Sequence, residues 1–147
     1  MKRLIILIVL LTGALCNLSA QDRLHPTHTS TTKSDEIQSF ITQMYNNKLY
    51  EDYAFLQKHC SAELLKKLRD AYPYDTDGIA YATWLFRSGQ QDSKPGADDK
   101  TTMLEVRADG DWFVYTALDM GWKFTNKIKI TNKGGEIVIE DVCTIKE

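Results

Sequence analysis

The amino-acid sequence predicts a single α+β domain, with helices in its first half and an antiparallel sheet in its second half. Apolar residues recur at steps of three and four between residues 34 and 72, which is the spacing of amphipathic helices. From residue 101 onward, apolar and polar residues alternate between glycine-containing turns, which is typical of an antiparallel meander. We therefore expect helices to pack on one face of a meander of four or more strands.

Three helices are expected before residue 74. Ser34 is predicted to cap the first one, because serine is a good N-cap and two acidic residues follow in the first turn. Ser61 can cap the third helix in the same way. Pro73 ends the third helix, since proline disfavours helical geometry in the residue before it. The apolar segment 79–86 fits either a short strand or a short helix, and residues 88–100 form a polar loop. The three helices are predicted over residues 34–48, 51–59 and 62–72.

Four strands are expected in the second half of the chain. Asp-Gly, Met-Gly and Gly-Gly pairs lie between them, and such pairs favour tight hairpin turns. The third strand alternates most regularly, with aromatic and isoleucine side chains on one parity and lysines on the other. The strands are predicted over residues 101–107, 111–118, 122–131 and 136–146.

The N-terminus has the pattern of a secretory signal peptide. Two basic residues precede an apolar run over residues 4–15, which is too short to cross ~30 Å of hydrocarbon. We favour cleavage after Ala20, which makes residues 1–20 the signal peptide and sends the mature chain to the periplasm or the medium. Lipidation at Cys16 is the alternative, and it would tether the domain to a membrane.

Length and charge limit the remaining possibilities. The chain has 147 residues and a formal net charge of −2, and loss of the signal peptide removes two basic residues. A chain without a basic excess is not expected to bind nucleic acid through phosphate neutralisation. We expect a polar spacer over residues 21–33 and a single domain over residues 34–147.

Two cysteines remain in the mature chain, Cys60 and Cys143, and they either form a disulfide or stay as two buried thiols.

The order of elements resembles the nuclear transport factor 2-like superfamily, including small exported bacterial domains of unassigned function. The resemblance covers residues 34–147 and lies in the helical segment YEDYAFLQKHCSAELLKKL and the strand segments TTMLEVRADGDWFVYTAL and WKFTNKIKITNKGGEIVIEDV. It implies a strongly bent sheet wrapped round the helices, often with a pocket at the open end of the cone. Members include isomerases, dehydratases and epoxide hydrolases as well as binding and dimerisation modules, so the fold does not select a function.

Two side chains are candidates for catalysis. Asp141 shares its strand parity with three isoleucines and Cys143, and a carboxylate among them would be partly desolvated, with a raised pKa, as a general acid or base requires. Tyr115 could present its hydroxyl group to the same pocket. The alternatives are a β-bulge or strand end that turns Asp141 to water, and a Tyr115 that packs in the core.

Aromatic residues could instead line an apolar ligand pocket, or they could be ordinary core. His25 and His28 lie in the spacer without a third ligand, so we expect no metal site, and we expect no cofactor. The pocket candidates are Tyr81, Trp84, Trp112, Tyr115 and Trp122.

Together these features favour a non-catalytic exported domain that binds a small apolar ligand or a protein partner. A small hydrolase or isomerase that uses Asp141 and Tyr115 is the alternative, and a homodimer joined through its sheet faces is a third. We expect no nucleic-acid partner, and membrane association only through a lipid on Cys16.

Overall fold

The structure is a computed structural model, and it describes residues 32–145 with the exception of residues 73, 75, 76 and 91. The predicted signal peptide, the Cys16 lipidation alternative, the two spacer histidines and most of the predicted spacer lie outside these residues. Within them, the predicted α+β class is confirmed, with helices first and an antiparallel meander second.

Helix α1 (Lys33–Asn46) begins one residue before its predicted cap, Ser34. Thr32 is the N-cap, since its hydroxyl group accepts from the Asp35 backbone N–H at 3.2 Å while the Asp35 carboxylate accepts from the Thr32 N–H at 3.0 Å. This reciprocal capping box needs an acidic or amide side chain three residues after the cap. Ser34 lies inside the first turn, where its hydroxyl group accepts from the Gln38 side-chain amide at 3.2 Å, so the prediction of Ser34 as the cap was wrong.

The remaining helices are short and individually capped. A single 3₁₀ turn (Leu49–Glu51) leads into α2 (Tyr53–His59), whose first N–H groups are accepted by the side chain of Asp52. Ser61 caps α3 (Ala62–Ala71), as the sequence predicts. The segment that fitted either a strand or a helix is α4 (Ile79–Phe86).

The four strands pair antiparallel in the order of the chain, as a meander. Their inner face packs against the helices, and their outer face carries exposed side chains such as Leu118, Lys123 and Cys143. The strands are β1 (Thr101–Asp109), β2 (Trp112–Asp119), β3 (Trp122–Lys133) and β4 (Glu136–Thr144).

A β-bulge at Glu140 changes the side-chain parity of β4. Lys129 pairs with Asp141, but the next residue of β3, Ile130, pairs with Ile139, so Glu140 is an extra residue in β4. The Glu140 carboxylate accepts from Thr131 Oγ1 and Lys133 Nζ, both at 2.8 Å, which holds the bulge in place. As a result, Ile139 and Val142 are buried, whereas Asp141 and Cys143 point to the outer face.

The outer edge of β4 is covered by the connection between α2 and α3. Cys60 forms a parallel bridge with Ile139, and the Ser61 N–H donates to the Ile139 carbonyl at 2.8 Å. His59 Nδ1 lies 3.0 Å from the Ile137 carbonyl, so this ring nitrogen carries the proton. These contacts satisfy edge groups that could otherwise pair with another chain.

Gly121 lets the loop before β1 approach the β2–β3 turn. Its φ is +84°, and an added Cβ would lie 2.5 Å from the Cβ of Ala97 and 3.0 Å from that of Lys94. We expect Gly121→Ala to lower the free energy of unfolding by about 2–3 kcal/mol, from backbone strain and steric overlap together.

Urea unfolding followed by circular dichroism measures this loss, and Gly110→Ala is the matched control. Gly110 also has a positive φ, but an added Cβ would meet nothing within 4 Å, so only the backbone cost of about 1 kcal/mol applies. Equal losses in the two variants would mean that the loop moves away from Gly121 at no cost.

Candidate functional site

The interior of the domain is filled by tyrosines and a phenylalanine. The rings of Tyr45 and Tyr115 lie with centroids 4.6 Å apart, and Tyr50 stacks on Phe86 at 6.0 Å. All four side chains are fully buried. The resemblance implies a pocket at the open end of a cone, but these rings occupy the space between the helices and the sheet.

Two hydroxyl groups of this cluster, those of Tyr45 and Tyr115, bond to each other and to the backbone. The hydroxyls of Tyr45 and Tyr115 contact each other, and both contact the carbonyl oxygen of Phe86, at 3.2 Å from Tyr115. Burial raises the pKa of both tyrosines above the ordinary value of 10.0. Tyr115 is therefore a neutral hydrogen-bonded core residue at physiological pH.

The structure does not bring Asp141 and Tyr115 into one site. Asp141 lies on the outer face and accepts from Lys67 Nζ at 2.8 Å, and these two side chains are 42% and 46% exposed. The predicted desolvation of Asp141 is therefore wrong, because the bulge at Glu140 reverses the parity on which it rested. The hydrolase or isomerase alternative required Asp141 and Tyr115 in one pocket, so it loses its geometric basis.

The two cysteines of the described chain are free thiols, which contradicts the disulfide, but only one of them is buried, so the alternative of two buried thiols holds only in part. Cys60 is buried, and burial raises the pKa of its thiol to about 12. Cys143 is exposed on the outer face, where the bulge has turned it, and it pairs with Lys127 of β3. The two side chains therefore lie on opposite sides of the sheet.

The predicted pocket aromatics are dispersed. Trp112 lies half-buried at the hairpin end of β2, and Tyr115 lies in the core. Trp122, at the start of β3, donates its indole N–H to the Asp92 carbonyl at 3.0 Å. Only Tyr81 and Trp84 come together, as stacked rings with centroids 5.4 Å apart on α4.

A buried carboxylate that the sequence reasoning missed joins three separate segments. Asp119 is fully buried and accepts a bidentate pair from Arg87, with Nε at 2.9 Å and Nη2 at 3.0 Å. Ser88 Oγ donates to the same carboxylate at 3.1 Å and Thr101 Oγ1 at 2.9 Å. We call Asp119, Arg87, Ser88 and Thr101 the aspartate network.

The aspartate network is suited to linking β1, β2 and the segment after α4, and not to proton transfer. Each carboxylate oxygen of Asp119 accepts two donors, so its lone pairs are engaged within the protein. Desolvation opposes the charge of Arg87, but the bonds to Asp119 outweigh it and raise the pKa of the guanidinium group. The sequence did contain a signal for this network. Asp119 has the same parity in β2 as Tyr115, so regular alternation places both side chains on the same face of the sheet.

A cluster of aromatic side chains lies on the surface formed by α4 and the residues that follow α3. Tyr74 is 87% exposed and Trp84 is 48% exposed. Tyr72 and Tyr74 pack edge to face with ring centroids 5.7 Å apart. We call Tyr72, Tyr74, Tyr81 and Trp84 the aromatic surface.

The aromatic surface follows from the composition of α4. Seven of its eight residues are apolar, but only Ala82, Leu85 and Phe86 are buried. Of the other four apolar residues, Ile79 and Tyr81 are partly buried against the core, whereas Ala80 and Trp84 are exposed. Tyr72, Ala80, Tyr81 and Trp84 line a groove of about 310 Å³ there. Sequence reasoning identified Tyr81 and Trp84 as pocket candidates but missed Tyr72 and Tyr74, which flank the predicted helix stop.

In comparisons with known proteins, no protein-family model, curated protein or solved structure matches the chain. In the part of the chain that the structure describes, no group of three or more histidine, cysteine or acidic side chains could hold a metal ion. None of the helices in that part has the length and apolar character required to span a membrane.

Proposed function

We propose that this chain is a non-catalytic exported domain that binds a protein partner through the aromatic surface. The single observation that carries the proposal is the exposure of Tyr72, Tyr74 and Trp84 in one cluster. Large aromatic side chains are costly to leave in water, and exposed clusters of them mark interaction sites. Tyrosine and tryptophan are also the residues most enriched among those that dominate protein–protein binding energy.

The shape of the surface favours a macromolecule over the small apolar ligand of the sequence prediction. Small-molecule sites enclose about 70–90% of the ligand surface. The grooves beside Trp84 are open to solvent, and the interior that could have enclosed a ligand is occupied by Tyr45, Tyr50 and Tyr115. Export rests on the sequence pattern of residues 1–20.

Site-specific photo-crosslinking in the native host tests this proposal. A p-benzoylphenylalanine replaces Tyr74 in the full chain, and the same group replaces Leu104, an exposed apolar residue of β1, as the matched control. We expect one discrete covalent adduct from position 74 and none from position 104. Adding Trp84→Ser to the position-74 probe should abolish the adduct.

A control on folding keeps the result interpretable. Because Tyr74 and Trp84 are exposed, their replacement should change the free energy of unfolding by no more than about 0.5–1 kcal/mol. An adduct that persists in the Trp84→Ser background, or one that forms only from position 104, would overturn the proposal. An adduct of twice the chain mass would identify the partner as a second copy, joined through the aromatic surface and not through the sheet faces.

A further inference from the structure

We infer that two copies of this chain pair through the open edge of β1 and form a two-fold symmetric dimer with one continuous sheet. This interface goes beyond the proposed function, because it uses other residues than the aromatic surface and has a second copy of the chain as its occupant. Unpaired backbone groups at the edge and alternating charges beside them support it.

The two edges of the sheet differ in how far they are covered. The connection between α2 and α3 bonds to the edge of β4. In β1, Asn46 Oδ1 accepts from the Met103 N–H at 3.0 Å, and Leu104 is an extra residue at which the register with β2 shifts. The second half of β1, residues 105–109, is therefore the open part of this edge, and it contains neither proline nor lysine to protect it.

The turn after β1 determines which backbone groups face the open edge. Asp109 pairs with Trp112 across a two-residue turn, and the residues that close such a turn exchange hydrogen bonds with each other. Bonded positions alternate along an antiparallel strand, so Arg107 also bonds to β2, whereas the N–H and C=O groups of Val106 and Ala108 point away from β2. Within the described residues nothing bonds to these outward groups, so an added strand could.

Two-fold symmetry leaves three ways to pair residues 105–109 with themselves. In an antiparallel pair, outward-facing residues must lie opposite one another so that they exchange hydrogen bonds. Because Val106 and Ala108 are the outward-facing residues, the two-fold axis passes through Val106, Arg107 or Ala108. Each choice places a different set of side chains opposite one another.

An axis at Val106 brings opposite charges together. Glu105 then lies directly opposite the partner's Arg107, and Arg107 lies opposite the partner's Glu105. Both side chains are exposed, and neither forms a salt bridge with another described residue. Opposite charges that face each other across two strands stabilise their pairing.

The other two axes bring like charges together. An axis at Arg107 places two arginines opposite each other and sets Glu105 against the partner's Asp109. An axis at Ala108 sets Glu105 against the partner's Asp111, and it pairs Arg107 with an Asp109 carboxylate that already accepts from Lys127 Nζ at 2.9 Å. Like charges directly opposite each other are destabilising. The charges of this edge therefore select the axis at Val106.

The dimer is expected to be weak, because each chain contributes only a short strand segment. We expect a Kd on the order of 100 µM, as for small transient interfaces. Well below that concentration the chain is a monomer, and Leu104 beside the edge then has no second copy next to it. Position 104 therefore remains a valid control for the crosslinking experiment.

Sedimentation velocity of the full chain, over a concentration series from about 5 to about 500 µM, tests this interface. We expect the mean mass to rise from that of one chain towards that of two. Arg107→Glu should weaken dimerisation about tenfold or more, because it places like charges opposite each other at both sites. Adding Glu105→Arg restores opposite charges in exchanged positions, so the double variant should dimerise within about threefold of the parent chain.

Lys123→Glu is the matched control for charge. It changes the net charge as much as Arg107→Glu does, but at an exposed position of β3, which has a strand on each side. We expect it to change the Kd by less than about twofold. Each variant should keep the circular dichroism spectrum of the parent chain, since the replaced side chains are exposed.

Amide hydrogen exchange followed by NMR locates the contact. The Val106 N–H should exchange more slowly at high than at low concentration, because it donates to the partner's Val106 in the dimer. A chain that stays monomeric at about 500 µM would exclude this interface. So would a dimer that Arg107→Glu leaves intact, one that the charge exchange does not restore, or one that leaves the Val106 N–H unprotected.

Discussion

Asp119→Ala is expected to lower the free energy of unfolding by about 3–5 kcal/mol, because it leaves the largely buried Arg87 guanidinium group with the more distant Glu51 carboxylate, at 3.9 Å, as its remaining counter-charge. The hydroxyl groups of Ser88 and Thr101 lose the same acceptor. The loss would be a large part of the stability of a domain of this size, for which about 5–15 kcal/mol is typical. Urea unfolding monitored by circular dichroism at neutral pH measures it.

A matched control separates a buried pair from an exposed one. Lys66 and Asp70 form an ion pair one turn apart on α3, with side chains that are 73% and 61% exposed. Asp70→Ala should therefore change stability by no more than about 0.5 kcal/mol. If Asp119→Ala costs less than about 1 kcal/mol, water or another side chain compensates Arg87, and the clamping role of the aspartate network would be refuted.

A double variant tests the same network by removing both charges of the pair. Replacing Asp119 and Arg87 together by apolar residues of similar size, as in Asp119→Leu with Arg87→Met, removes both charges. We expect this pair to be more stable than Asp119→Ala alone, because no unpaired charge is left in the interior. Ser88 and Thr101 would still lose an acceptor, so full recovery is not expected.

Alkaline pH should destabilise the folded domain strongly. Burial raises the pKa of Tyr50 from 10.0 to about 12 and that of Cys60 from 9.0 to about 12, and it also raises the pKa values of Tyr45 and Tyr115. Above about pH 9 the unfolded chain loses these protons while the folded domain keeps them. The unfolded state then binds fewer protons, so stability falls as pH rises.

The expected loss is roughly 6–7 kcal/mol between about pH 9 and about pH 11, since each shifted group contributes roughly 1.4 kcal/mol per pH unit inside its window, which covers about one unit for each tyrosine and about two units for Cys60. The contribution of these four groups is fully present below about pH 9. Urea unfolding at a series of pH values measures the profile. A free energy of unfolding that stays constant up to about pH 11 would mean that these groups ionise in the folded domain as readily as in the unfolded chain.

Tyr115→Phe is the control for the alkaline profile. It removes one buried hydroxyl group and its bond to the Phe86 carbonyl, which should cost about 1–2 kcal/mol at neutral pH. Above about pH 10 the variant should lose stability less steeply than the parent chain, because one fewer group titrates differently in the two states. An unchanged slope would exclude Tyr115 as a contributor.

The candidate site shows where pattern reasoning was sufficient and where it was not. Tyr81 and Trp84 were predicted as pocket residues from aromatic character alone, and the structure does place them together. The orientation of Asp141 and Cys143 depended on strict alternation in β4, and one extra residue at Glu140 reversed it. Nothing in the local sequence distinguishes a bulged strand from a regular one of the same composition.

The fold class, the meander and the cap at Ser61 could be predicted from the sequence, because they depend on local spacing, turn residues and hydrogen bonds within a few positions. The filled interior, the contacts of Asp119 with three segments and the half-exposed position of Trp84 on α4 became known from the three-dimensional structure. These outcomes depend on contacts between residues that are distant in the chain. Pairs such as Tyr45 with Tyr115 and Arg87 with Asp119 are set by packing and desolvation, which no local pattern encodes.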